Sequence, residues 1–259
     1  MPKAPVNGIE LYYESHGEGP AIVFVHQRAG NHLSWWQQVP VFRNDYRCIT
    51  FDLRGYGASL EPPGGPGISA FVEDLKQLLD YLGVERAFLV AHALGGLASL
   101  GFALAYPERS LGLILGNSTG GADDPTVVEA LTGLDRIPAD DVPRTLAPSF
   151  VDQHPARTFL YQEIAALNPE LHLDIRSASH GAGGPQAADL AKLGVPTLLI
   201  VGAESLIHPV GAIQALQRLI PGSKLEIVQG SAHSTYFEQP EVFNRLALEF
   251  FAGVQAEAD

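Results

Sequence analysis

Short apolar runs closed off by turn residues alternate along this chain with longer amphipathic stretches, and that alternation constrains the fold more than any other feature. A run that is almost wholly apolar, as at 21–26, 48–51, 87–91, 111–115 and 197–201, suits a strand covered on both faces, as in a parallel sheet. Parallel neighbours need helical crossovers, and the sequence supplies them. Residues 69–82 place Phe71, Leu75, Leu78, Leu79 and Leu82 at helical spacing and stop at Gly83. The pattern predicts further helices at 210–219 and 240–251, an antiparallel edge strand at 8–13, a late strand at 224–228 and a frayed tail at 256–259. The fold class expected is therefore α/β, with a mostly parallel, doubly wound sheet. Residues 118–186 break the rhythm with several prolines, a Gly-Gly-Ala-Asp-Asp stretch and a helical piece at 155–167. They are expected to form a lid inserted into a core made of 1–117 and 187–259.

At 259 residues such a domain buries roughly 70–75% of its unfolded surface, enough for a deep core with an internal pocket. The net charge of −13, with only 16 Lys and Arg scattered along the chain, disfavours a nucleic-acid or anionic-membrane partner. Cys48, alone and in an apolar run, can form no internal disulfide and reads as a buried structural thiol. The histidines show neither H-x-x-x-H nor H-E-x-x-H spacing, and no Cys pair accompanies them, so no metal is expected. The Gly-Gly pairs lack the strand-then-G-x-G-x-x-G context of a dinucleotide site, so no cofactor is expected either. The first residues carry no apolar segment, and no run approaches the ~18–20 apolar residues of a membrane span. A soluble, cytoplasmic monomer or homodimer acting on a small hydrophobic substrate is the expectation.

The most informative stretch is Phe88-Leu-Val-Ala-His-Ala-Leu-Gly-Gly-Leu97, an apolar strand running into a small-residue turn and then a helix. Three other motifs flank it in chain order. Val25-His-Gln-Arg-Ala-Gly30 follows the first buried strand, Asp52-Leu-Arg-Gly-Tyr-Gly-Ala-Ser59 the second, and Gly230-Ser-Ala-His-Ser-Thr-Tyr-Phe-Glu-Gln-Pro240 lies near the end. Together they resemble the α/β-hydrolase family across nearly the whole chain. The resemblance implies a nucleophile elbow at position 93, flanked by the small residues Ala91 and Gly95. It also implies an oxyanion hole from the backbone N–H groups of Gln27 and Leu94, a catalytic base at His233, and a structural role for Asp52 and Arg54.

The departures matter as much as the match. Position 93 is Ala, whose methyl group cannot attack a carbonyl. The acid expected after the strand at 197–201 falls on Ser205, in Gly202-Ala-Glu-Ser-Leu-Ile-His-Pro209, and the alternative acid position after the preceding strand is Gly116-Asn117. Glu204 is the neighbouring candidate for the partner of His233, and Gln27 stands where the family usually has Gly. Arg28, His32, His92, Trp36 and Tyr236 are the candidate substrate contacts.

A single Ala93 would suggest a Ser-to-Ala inactivated hydrolase of an ester, lactone or diketone carbon–carbon bond. The additional changes at Ser205 and Gln27 point toward divergence. The leading expectation is a non-hydrolytic conversion assisted by His233, of cyclase, isomerase, lyase or cofactor-free oxygenase type. The inactivated hydrolase is the first alternative, and a ligand-binding protein without chemistry the second.

Overall fold

The computed structural model describes residues 2–131, 145–169 and 183–258. Its strands are β1 (Lys3–Val6), β2 (Ile9–His16), β3 (Ala21–Val25), β4 (Arg47–Phe51), β5 (Ala87–His92), β6 (Ser110–Gly116), β7 (Thr197–Gly202) and β8 (Lys224–Val228). They form one sheet in the order β1-β2-β4-β3-β5-β6-β7-β8. β2 pairs antiparallel with β1 and β4, and every other pairing is parallel. The expected α/β architecture is observed.

Alternate side chains of the central strands feed two cores. Val23, Val25, Leu89, Ala91, Leu113 and Leu115 pack against the helices Phe71–Tyr81, Gly95–Ala105 and Val210–Leu219 on one face. Ile22, Phe24, Phe88, Val90 and Ile114 meet Trp35, Phe42, Phe243 and Phe251 on the other. This two-sided burial is why the strands read as continuous apolar runs instead of alternating ones. Cys48 lies in the second core, and burial pushes its thiol up to about 12, so it stays a thiol.

From β3 the chain moves one way to β4 and then returns to add β5 on β3's other side. The loops leaving β3 and β5 therefore part at the carboxyl edge of the sheet, the place where doubly wound sheets open a crevice. Gln27 follows β3 and Ala93 follows β5, so topology alone brings these two positions to that crevice.

Three elements differ from the sequence expectation. The strand expected at 8–13 is a hairpin, β1 and β2, turning at Asn7-Gly8 with φ of 44° and 81°. Asn-Gly takes positive φ at both turn residues at little cost, and that signal outweighs the single-strand reading. The helix expected at 69–82 is regular only over Phe71–Tyr81, after a short tighter turn at Gly67–Ala70. The last helix runs Pro240–Ala258, through 256–258 of the tail expected to fray, because Ala, Gln and Glu are strong helix formers, and residue 259 lies outside the described residues.

The expected lid contributes helices at Pro125–Leu131, Pro148–Gln153 and Pro155–Ala166, and its parts at 132–144 and 170–182 lie outside the described residues. Among the described residues no helix is long and apolar enough to cross a membrane.

Candidate active site

β5 ends in a strained turn. Ala93 has φ +45°, a region that L residues avoid at a cost of about 1–2 kcal/mol. The surroundings hold it there. Its N–H donates to the Gly116 carbonyl (2.9 Å), and its carbonyl accepts from Ser118 Oγ (2.6 Å) and the Gly96 N–H (3.0 Å). A Cβ on Gly95 would overlap the Val25 carbonyl oxygen, and one on Gly96 the Ser118 hydroxyl. The two glycines thus let the helix Gly95–Ala105 start directly against β3 and the segment after β6.

The loop after β3 is fixed through His26. The Leu53 N–H donates to its Nε2 (2.9 Å), so the ring proton sits on Nδ1 and is donated to the Gln27 carbonyl (2.7 Å). Full burial lowers the basicity of His26 to a pKa of about 4. With the Gln27 carbonyl turned away, its N–H is engaged by no other described residue, and the same holds for the Leu94 N–H. The Gln27 side chain crosses the crevice, where Nε2 donates to Tyr236 Oη (2.8 Å) and Tyr161 Oη (3.5 Å).

His233 lies in the loop between β8 and the short helix Thr235–Glu238, buried to 3% exposure. Its ring stacks on His208 (centroids 5.4 Å apart, 16° between planes) and packs against His92 (4.9 Å), the residue before Ala93. Its Nδ1 faces Ser205 Oγ at 3.5 Å. Burial, with the neighbouring His92 and His208, holds its basicity well below the usual histidine value. His92 donates from Nδ1 to the Gly116 carbonyl (2.9 Å), and burial takes it down to about 3.

A family model described as alpha/beta hydrolase fold matches residues 20–240. The chain belongs to the α/β-hydrolase fold family. Among curated proteins, it is 31% identical over 264 residues to 2-hydroxy-6-oxononadienedioate/2-hydroxy-6-oxononatrienedioate hydrolase 2 of Pseudomonas putida, covering 93% of this chain and 91% of that one. It is 29% identical over 245 residues to 3-oxoadipate enol-lactonase 2 of Acinetobacter baylyi, covering 91% of each. Among solved structures, Est816, described as an N-acyl homoserine lactone degrading enzyme, superposes with a TM-score of 0.84 at 26% identity, covering 96% of this chain and all of that one. A thermophilic esterase from Thermogutta terrifontis gives 0.80 at 29% identity, covering 97% of each. These relatives are named as a hydrolase, an enol-lactonase, a lactone-degrading enzyme and an esterase, which favours the hydrolytic alternative over the cyclase, isomerase, lyase or oxygenase expectation.

The structure brings together His233, His92, Tyr236, Ser205 and Gln27 beside the elbow of Ala93 and Leu94, and places Glu204, Arg28, His32 and Trp36 elsewhere. Glu204 is solvent-exposed, and its backbone N–H is bound to the Ser231 carbonyl (3.0 Å). The one-residue offset after β7 turns it outward, so the side chain at His233 Nδ1 is Ser205, not Glu204. Arg28 is exposed. His32 is tied to Asp52 through Nδ1 (2.7 Å) and its backbone N–H (2.8 Å), and packs on Tyr12 (4.5 Å). Trp36 is 40% exposed with its edge on Phe237, and it is Trp35 that is buried against Tyr236 (4.8 Å). Asp52 keeps its structural role, accepting from the Ala58 and His32 N–H groups. Arg54 does too, chiefly through a buried bidentate pair with Asp74 (2.7 and 2.6 Å).

Several residues at the site escaped the sequence reading. Tyr161 reaches it from the helix Pro155–Ala166 and bonds Ser234 Oγ (3.0 Å). Glu238, in the stretch Gly230–Pro240, is buried and accepts from the N–H groups of Ala147 (2.7 Å), Ala232 (3.1 Å) and Ser234 (3.1 Å). It fastens the His233 loop to the start of the helix Pro148–Gln153. Burial raises its pKa, while these donors oppose the rise. Glu238→Ala strands three buried donors and is expected to cost about 3–5 kcal/mol in urea unfolding. A loss under about 1 kcal/mol would mean that the loop is held by something else.

Proposed function

We propose that this protein cleaves a small, largely apolar carbonyl compound, an ester, a lactone or a diketone, with water activated by His233 and without a covalent intermediate. On this reading Ala93 stands where the family nucleophile would be, Ser205 where its acid would be, and residues 118–186 close over the substrate as a lid. The observation that carries the reading is the buried, neutral His233, packed through His92 against an elbow that keeps its strained geometry without a reactive side chain.

The substrate carbonyl oxygen accepts from the Gln27 and Leu94 N–H groups. His233 Nε2 takes a proton from water as the water oxygen bonds to the carbonyl carbon. The tetrahedral oxyanion stays in the hole. Its collapse breaks the bond to the leaving alkoxide, or to the leaving enolate of a diketone, and that group takes the proton back from His233. The electrophiles in the relatives' names, lactone and ester carbonyls, support this substrate class.

The test is a panel of lactones, esters and diketones incubated with the protein in heavy-oxygen water, with products read by mass spectrometry. Acid product carrying one heavy oxygen, at a rate above buffer, is the expected result. Deuterium exchange beside a ketone without cleavage would overturn it in favour of proton-transfer chemistry. Saturable binding with no conversion would overturn it in favour of a binding protein.

A further inference from the structure

His233 has no carboxylate partner among the described residues, yet both positions where the family resemblance would put one are occupied by hydrogen-bonding groups that meet each other. Asn117 follows β6 with φ +45°, a conformation that Asn tolerates better than most residues, and its N–H donates to the Ile200 carbonyl (2.7 Å). Its side chain is fully buried. The Gly202 N–H, a fixed donor 3.3 Å away, requires an acceptor and so sets the amide orientation, with Oδ1 toward Gly202 and Ser205 Oγ (3.2 Å). Nδ2 then donates to Thr235 Oγ1 (2.9 Å) and the His233 carbonyl (3.1 Å). All four of its hydrogen-bonding positions are filled.

The Ser205 hydroxyl is equally constrained. It has one proton and two lone pairs. The proton faces Asn117 Oδ1, which can only accept. One lone pair accepts from the His208 N–H (3.3 Å), and the other faces His233 Nδ1. A ring protonated on Nε2 would set the Nδ1 lone pair against that oxygen lone pair, or pull the Ser205 proton off Asn117 and leave two oxygens facing each other. A ring protonated on Nδ1 satisfies every group.

We infer that Ser205 and Asn117 form a neutral relay that takes the place of the triad carboxylate, holding the His233 proton on Nδ1 and leaving Nε2 open as the base. The relay does half of what a carboxylate does. It fixes tautomer and ring orientation but offers no negative charge to the imidazolium. His233 is thus aimed but weakly basic, suited to a proton that moves on to the leaving group within the same step. Ser205 and Asn117 are positioning residues, and their role rests on the general-base reading of His233.

The measurement is heteronuclear NMR of the His233 ring nitrogens in the intact protein near neutral pH, the signals being assigned by their loss in His233→Gln. The wild type is expected to carry its proton on Nδ1. Ser205→Ala is expected to yield a mixture of tautomers and a kcat about tenfold lower at unchanged KM, and Ser205→Thr, which keeps the hydroxyl, to restore both. Ser205→Asp is expected to keep the tautomer and move the acid limb of the rate profile up by about 1–3 pH units. A wild-type ring protonated on Nε2, or a Ser205→Ala variant with unchanged tautomer and rate, would overturn the relay. If Ser205→Ala fails to fold, the wild-type spectrum and Ser205→Asp decide. The tautomer is read without substrate, so a correct tautomer in a protein that converts no carbonyl compound would fault the proposed function and leave the relay intact.

Discussion

His233→Ala is expected to lower turnover of a cleaved lactone or ester by about 10²–10⁴-fold, the usual contribution of a positioned general base. Neither His92 nor Ser205, the groups beside it, can take its part. His92 commits Nδ1 to the Gly116 carbonyl and is held neutral down to about pH 3, and the Ser205 hydroxyl is no base at neutral pH. The oxyanion donors are backbone N–H groups and survive the substitution, so residual activity above buffer and near-normal KM should remain. Truncation also removes packing against His92 and His208, and a stability loss must be separated from a catalytic one. Added imidazole separates them. It should restore part of the rate to a folded His233→Ala protein, because the missing base is small and the truncated site has room for it. Full activity in the variant, or a loss that imidazole leaves untouched in a folded protein, would remove His233 from the base role.

Acid is expected to unfold this protein well before its carboxylates titrate. His26, His92 and His233 are buried and held neutral by desolvation, at about 4, about 3 and well below 6.5 respectively. Below about pH 6.5 the unfolded chain protonates these rings and the folded chain does not, so the unfolded state binds more protons and stability falls with falling pH. Between about pH 7 and pH 5 His26 and His92 each cost about 2 kcal/mol, roughly 4 kcal/mol together, and His233 adds to the loss in the same direction. That is a large part of the 5–15 kcal/mol typical of a domain. Asp52 and Glu14 have lowered pKa values and act only at lower pH, so the window from about pH 7 to 5 reports the histidines. Glu238, raised by burial, opposes the trend as one group against three. Urea midpoints across this window should fall steeply, and a flat profile would mean that the rings gain protons without opening the fold.

The sequence displayed the fold and the axis of the site for a physical reason. A strand buried on both faces must be apolar throughout, and an elbow at positive φ against a neighbouring strand admits only small residues, so Ala91, Gly95 and Gly96 signal the turn even with Ala at 93. His233 was legible because its loop is local in sequence. What converges from a distance was not. Tyr161 comes from the helix Pro155–Ala166, whose docking no periodicity fixes, and Ser205 and Asn117 are 88 residues apart, meeting only because β6 and β7 are neighbours. Glu204 was attractive by charge and excluded by direction, since one step past β7 reverses which way a side chain faces. His32 and Trp36 lay in the right loop, but Asp52 and solvent claim them.

The central claim is that His233 activates water at a site without a protein nucleophile. The most direct measurement is the intact mass of the protein, quenched in acid at successive times while a lactone or ester of the panel turns over. The account predicts the unmodified chain mass at every time point as product accumulates, and the same mass with slow substrates that would pile up any intermediate. A population heavier by the acyl portion of the substrate would contradict it, since that adduct requires a protein side chain to have attacked the carbonyl.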